Sequence, residues 1–171
     1  HNLLVNQNQI ERPACVLNVG GIANITLVVS KNNEDLKSFD VGPGNCLLDE
    51  WVRRHTQMKY DENGKASSIG KTSEVILNQA IDNFDYISKQ EKLSFDIKDF
   101  DLSFVKGLSY EDGLSTLVDF TAIIIYQSIL KSIKIKENEK LLIIVCGGGR
   151  KNIFLMDSIK KRLPKNISLK I

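Results

Sequence analysis

A chain of 171 residues, with 42% hydrophobic and 26% charged side chains, has the composition of a soluble globular protein. Its length suits one domain or half of a two-domain enzyme, and it can bury a core without a disulfide or metal staple. The net charge of +2 argues against a dedicated nucleic-acid binder, which carries a concentrated basic face.

In chain order, Ala14 to Val19 and Ile22 to Val29 are β-rich runs divided by Gly20-Gly21, the pattern of a hairpin with a primed turn. Lys31 to Asp35 is a polar turn, and Leu36 to Val41 completes a three-stranded meander that the Gly42-Pro43-Gly44 corner stops. Asn45 is a natural N-cap for the next helix. There Leu47, Leu48, Trp51, Val52 and His55 recur at helical spacing as one buried stripe. Tyr60 to Gly70 reads as a loop. Thr72 to Asn83 reads as a helix with Val75, Ile76, Gln79 and Ala80 on one face, and Phe84 to Gly107 as irregular structure.

Ser109 and Asp112 resemble a capping box opening a long helix, with Leu114, Leu117, Val118, Thr121, Ile125 and Ile129 along one side. Leu141 to Val145 is a continuous apolar run, the mark of a central strand covered on both faces. A helix from about Asn152 to Leu163 follows, and Ile167 to Ile171 starts another strand. The order βββαβαβ predicts an α/β ribonuclease H-like domain, a mixed sheet with helices on both faces. The chain opens on His1 and stops inside a strand-like segment, so it is expected to be a piece of a longer protein.

Three glycine turns close apolar runs. Glycine tolerates positive φ and lets the backbone approach a ligand closely. Gly147-Gly148-Gly149 joins the buried strand to a helix start, at the carboxyl end of the sheet where open α/β folds bind ligands. Arg150 and Lys151 add positive charge there. The turn is either nucleotide-facing or simply a tight connection. Asn18 and Asn24 flank Gly20-Gly21, where the amides either meet phosphate and sugar oxygens or serve the turn itself. Asp40, set beside Gly42, Gly44 and Asn45, suits a hydrated metal ion or sugar hydroxyls, or else caps the next turn.

His55 reads as a packed core histidine. Asp61, Asp82, Asp85, Asp96, Asp99 and Asp101 read mostly as solvated. Cys15, Cys46 and Cys146 lack metal-site spacing and a basic partner, so they fit free thiols of the reducing cytoplasm. The apolar stretches fall short of the ~20 residues of a membrane span, and no signal peptide precedes them.

Leu17-Asn-Val-Gly-Gly-Ile-Ala-Asn-Ile-Thr26, Phe39-Asp-Val-Gly-Pro-Gly-Asn-Cys-Leu-Leu-Asp49 and Val145-Cys-Gly-Gly-Gly-Arg-Lys-Asn152 together resemble the anhydro-N-acetylmuramic acid kinase family. Tyr60-Asp-Glu-Asn-Gly64, Ser94-Phe-Asp96 and Leu114-Ser-Thr-Leu-Val-Asp-Phe-Thr-Ala122 fall in the matching order. The chain departs from the family pattern at Lys92-Leu-Ser94 and at Ile97.

The resemblance implies an actin-like ATPase fold, with this chain mostly the C-terminal half of a two-domain cytoplasmic kinase that forms a homodimer. It implies ATP and Mg²⁺ as cofactors and an anhydro-sugar as substrate, with neither nucleic acid nor membrane as partner. The family opens the 1,6-anhydro ring of the sugar with water and phosphorylates the 6-oxygen. The resemblance places Asn18, Gly20, Gly21, Gly147, Gly148 and Gly149 at the nucleotide and its phosphates. It places Asn24, Asp40, Gly42, Gly44 and Asn45 along the cleft. The catalytic aspartate and a first phosphate loop are expected upstream of His1, so these residues alone are expected to be inactive. Another sugar or acetate-type kinase, or a non-catalytic nucleotide-binding module, would share the glycine turns.

Overall fold

The computed structural model describes residues 14–28, 36–84, 95–133 and 140–171. The expected turn at Lys31 to Asp35 lies outside these residues, as does Asp85. Five strands form one mixed sheet in the order β3-β2-β1-β4-β5. Its centre is β1 (Ala14–Val19), antiparallel to β2 (Ile22–Val28) and parallel to β4 (Leu141–Cys146). The edges are β3 (Leu36–Pro43), antiparallel to β2, and β5 (Ile167–Lys170), parallel to β4. The meander and the apolar central strand stand where their sequence patterns predict them. This is the ribonuclease H-like α/β order.

Among the described residues the α-helices are α1 (Cys46–His55), α2 (Lys65–Ile69), α3 (Glu74–Asn83), α4 (Tyr110–Ser132) and α5 (Ile153–Arg162). Alternate residues of β1 separate two apolar clusters, as strand pleating requires. Cys15, Leu17 and Val19 join the large core with side chains of α1, α3, α4 and α5. Ala14 and Val16 join Val28 and Ile144 on the other face. The expected helix layer on that second face has no counterpart among the described residues.

Helix α4 is the spine of the core. Ser109 caps it, its side chain accepting from Asp112 N–H at 3.2 Å. Asp112 does not complete a reciprocal box, because its carboxylate accepts Lys71 N–H at 2.7 Å. The six residues expected on one side of α4 are all buried, and so are Thr116, Phe120, Ala122 and Ile124. The helix is long and apolar enough to cross a membrane by length and composition, yet 72% of its most apolar window is buried within the protein. That is the environment of a core helix. Asp119 on α4 accepts from Ser158 Oγ (2.6 Å) and Arg162 (2.9 Å) of α5 and from Thr72 Oγ1 (2.7 Å), tying two other segments to one carboxylate.

Several local expectations change. The register pairs Val19 with Ala23, so Gly20, Gly21 and Ile22 make a three-residue connection. Neither Gly20 nor Gly21 has positive φ, so the turn is not primed. Strand β3 runs on to Pro43, with Val41 as an extra residue where the register shifts between Ala23 and Asn24. Proline is tolerated there because β3 is an edge strand.

His55 is exposed rather than packed in the core, since α1 ends there, although its ring lies on Trp51 with centroids 4.0 Å apart. Helix α3 starts at Glu74 and buries Leu77 and Ala80, leaving Val75 exposed. The stretch from Tyr60 to Gly70 contains a 3-10 turn and α2 rather than loop alone.

Candidate functional site

The fold gathers the three glycine turns at one end of the sheet. The tip of the β1–β2 hairpin docks on the start of α1: Asn45 N–H donates to the Gly20 carbonyl (2.7 Å), and Gly44 and Cys46 N–H donate to the Gly21 carbonyl (both 3.0 Å). A side chain at Gly44 would collide with the Gly20 carbonyl, which explains its glycine. These bonds use amides at the helix start that would otherwise be free for an anion. The Asn45 side chain makes no capping bond, contrary to expectation. It faces the third turn instead, its amide oxygen 2.9 Å from where a Cβ on Gly149 would sit.

Gly147 has φ +84° and lies against Asn18 Oδ1 and the Val19 carbonyl, leaving no room for a Cβ. Gly148 is different. It is exposed, without positive φ, and an added Cβ would come no closer than 3.8 Å to Asn45. Gly21 is likewise exposed, with open space where a Cβ would project. Structure therefore accounts for Gly44, Gly147 and Gly149, whereas Gly21 and Gly148 leave bare backbone open to a ligand.

Beside this cluster lies a cavity of about 500 Å³, within the range that small-molecule sites occupy. Asn45, Leu48 and Asp49 of α1 form one wall, and Gly148, Gly149, Lys151 and Asn152 another. Tyr60, Asp61, Glu62 and Asn63 complete the lining. Asn152 also caps α5, its side chain accepting from Leu155 N–H at 3.0 Å. Arg150 folds back instead, donating to the Gly147 carbonyl at 2.8 Å.

The 60–63 wall is built by one buried carboxylate. Asp61 accepts from Ala66 N–H (2.9 Å), Ser67 N–H (3.0 Å) and Ser67 Oγ (2.7 Å), fixing the start of α2. It is buried, not solvated as the sequence suggested. Asp49 is half-buried, and burial pushes its carboxyl above the usual carboxylate range, with Arg53 pulling it back. Burial also drives Cys15 up to about 12 and Cys46 up to about 11, far from thiolate reactivity.

Register places the remaining candidates in one polar row. Asn18 pairs with Asn24, Asn24 with Asp40, and Asn18 with Cys146 on its other side. Cross-strand partners share a face, and this one is opposite α4. Asp40 already accepts Phe95 N–H at 2.8 Å through one carboxylate oxygen. Gly42 and Gly44 are buried, Gly42 beneath Ile124, so both shape the corner from behind rather than line the cleft. Asn18, Asn24 and Asp40 do not reach the cavity, whereas Asn45, Gly148 and Gly149 do. Among the described residues no group of three His, Cys, Asp or Glu side chains could hold a metal ion.

Sequence reasoning missed Leu48, Asp49, Tyr60, Glu62 and Asn63 as lining residues. The signal was the Asn63-Gly64 dipeptide, a turn former that brings the 60–63 segment back toward α5.

A family model described as anhydro-N-acetylmuramic acid kinase matches residues 1–170. The chain belongs to the anhydro-N-acetylmuramic acid kinase family. An anhydro-N-acetylmuramic acid kinase from Pelagibacter ubique is 88% identical over the whole chain, which covers 46% of that relative. One from Caulobacter vibrioides is 35% identical over 96% of the chain and 42% of the relative. The chain thus spans about half the length of the curated family members it matches.

Solved structures give the same architecture at low identity. An activator of 2-hydroxyisocaproyl-CoA dehydratase from Clostridium difficile, with bound ADPNP, aligns with a TM-score of 0.54 at 15% identity. That alignment covers 94% of this chain and 55% of the activator. Component A of the Acidaminococcus fermentans (R)-2-hydroxyglutaryl-CoA dehydratase also gives 0.54, at 13% identity over 93% and 56%.

Proposed function

We propose that this chain is the nucleotide-binding, C-terminal half of a cytoplasmic kinase acting on anhydro-N-acetylmuramic acid. Water adds across the 1,6-anhydro bond while the 6-oxygen takes the γ-phosphoryl group of ATP, giving N-acetylmuramic acid 6-phosphate and ADP. The observation that carries the reading is the family match over residues 1–170, supported by the convergence of all three glycine turns beside one cavity.

The cavity accepts the nucleoside, between α1 and the Gly148-Gly149 backbone. The bare backbone of Gly21 and Gly148 faces the phosphates, with Lys151 as a nearby counter-charge. Phosphoryl transfer needs positioning and charge balance more than protein nucleophiles. That agrees with a site made of backbone, amides and one cation.

Magnesium keeps most of its water and takes few protein ligands when it arrives with phosphates. Asn24 and Asp40 fit this need, because one Asp40 oxygen meets no donor among the described residues. Bound there, the ion would offset phosphate charge. Asn18 positions the phosphates rather than ligating the ion. The general base and the opposite wall come from protein outside this chain, and the full-length protein acts as a homodimer.

The test is turnover of anhydro-N-acetylmuramic acid with γ-labelled ATP. The full-length protein is expected to release one ADP per sugar and leave the label on the 6-oxygen, while residues 1–171 alone give no product. Absence of sugar-dependent ADP release from the full-length protein would contradict the function. Turnover by residues 1–171 would contradict the missing-wall account.

A further inference from the structure

Asp49 is the lining side chain whose charge packing does not explain. It lines the wall one turn along α1 from Asn45, half-buried, and no donor among the described residues meets its carboxylate. The other acids there are accounted for: Asp61 is satisfied by three donors, and Glu62 is exposed. Arg53 on the same helix attracts it through space but makes its ion pair with Glu50, at 3.0 Å. A half-buried carboxylate with no protein donor is stabilised when a bound group supplies one.

An ionised carboxylate can only accept hydrogen bonds, so it selects hydroxyl or amino donors and repels phosphate. Distance along the cavity then decides which donor. Asn45 faces Gly148 and Gly149, beside the turn cluster that marks the phosphate end. Four residues of helix carry Asp49 about 6 Å beyond Asn45. That is the step from a nucleotide's phosphates to its sugar. Tyr60 also lines the cavity, with a ring against which the base would sit.

Resting on the nucleotide reading of this cavity, we propose that Asp49 accepts a hydrogen bond from a ribose hydroxyl of the bound nucleotide and makes the site selective for ribonucleotides. The role matches the general use of a carboxylate against ribose hydroxyls in dinucleotide sites, here supplied from within a helix after a glycine corner.

The experiment is calorimetric titration of the full-length protein with ATP, 2′-deoxy-ATP, 3′-deoxy-ATP and inosine triphosphate. Wild-type protein is expected to bind one deoxy analogue about 10-fold more weakly than ATP, the effect of one hydrogen bond to a charged group. Asp49→Ala should weaken ATP by a similar factor and bind ATP and that analogue equally. Asp49→Asn, which keeps an acceptor, should retain part of the preference and serves if the alanine variant fails to fold.

Equal wild-type affinity for ATP and both deoxy analogues overturns the proposal, as does an undiminished preference in Asp49→Ala. A loss in wild type confined to inosine triphosphate, and abolished by Asp49→Ala, would put the carboxylate on the base amino group and also overturn it. No binding of ATP by wild type would instead sink the nucleotide reading itself, and this inference with it.

Discussion

Replacing Gly147 by alanine is expected to destabilise the protein by about 3 kcal/mol or more and to abolish nucleotide binding. The backbone at Gly147 has φ +84° and ψ 172°, a region open essentially to glycine, where an L residue costs about 1–3 kcal/mol. A Cβ would also strike the Val19 carbonyl, which belongs to the central strand and cannot move without breaking β1 pairing. Relief by shifting the turn would carry Gly148 and Gly149 away from Asn45 and open the cluster. Gly148→Ala is the matched control. Its new methyl meets nothing closer than 3.8 Å, so stability should change by less than about 0.5 kcal/mol while nucleotide affinity falls. Thermal unfolding with nucleotide titration separates the two. Equal melting temperatures for Gly147→Ala and wild type would refute the strain argument.

Asp61→Ala is expected to cost about 3 kcal/mol and to remove the 60–63 wall of the cavity. One buried carboxylate holds two backbone N–H groups and the Ser67 hydroxyl; truncation strands the buried Ser67 N–H and the half-buried Ala66 N–H, while the hydroxyl keeps only the Gly64 carbonyl at 3.1 Å. Each stranded buried donor costs on the order of 1–3 kcal/mol, softened where the segment relaxes. Helix α2 spans only Lys65–Ile69, too short to persist without that anchor. Loosened, the 60–63 segment no longer completes the lining of the cavity. Nucleotide affinity should therefore fall further than in a variant of an exposed neighbour such as Glu62→Ala. Faster amide exchange at Ala66 and Ser67 in Asp61→Ala would locate the loss. Unchanged exchange there would show that the carboxylate does not organise the wall.

Elements governed by long apolar patterns were legible before any coordinates. The run Leu141 to Val145 reads as a covered central strand because every residue is apolar, and it pairs on both sides. The α4 stripe and its Ser109 cap are equally plain, since periodicity and capping are local properties. Tip geometry was not. Gly20-Gly21 suggests a primed turn, but docking of the tip carbonyls onto α1 sets a different backbone. Asn45 likewise makes no side-chain capping bond, and its amide lies beside Gly149 instead.

The site was legible only in part, for a related reason. Glycine turns announce themselves in sequence, so Asn45, Gly148 and Gly149 are legible there. Asp61 reads as a solvated loop acid because its three donors lie five and six residues downstream, within a helix too short for periodicity to reveal. Asp49 follows a glycine corner on an amphipathic helix, where an acid near the N-terminus has an ordinary electrostatic reason to exist. Only the shape of the cavity separates it from that role.

On this reading the three glycine turns and the neighbouring cavity form one nucleotide site. A crystal structure of the full-length protein with a non-hydrolysable ATP analogue and Mg²⁺ tests it most directly. The account predicts the nucleoside between Asp49, Tyr60 and Gly149, with phosphates running past Gly148 toward Gly21. A nucleotide bound elsewhere, with this cavity left to solvent, would contradict it.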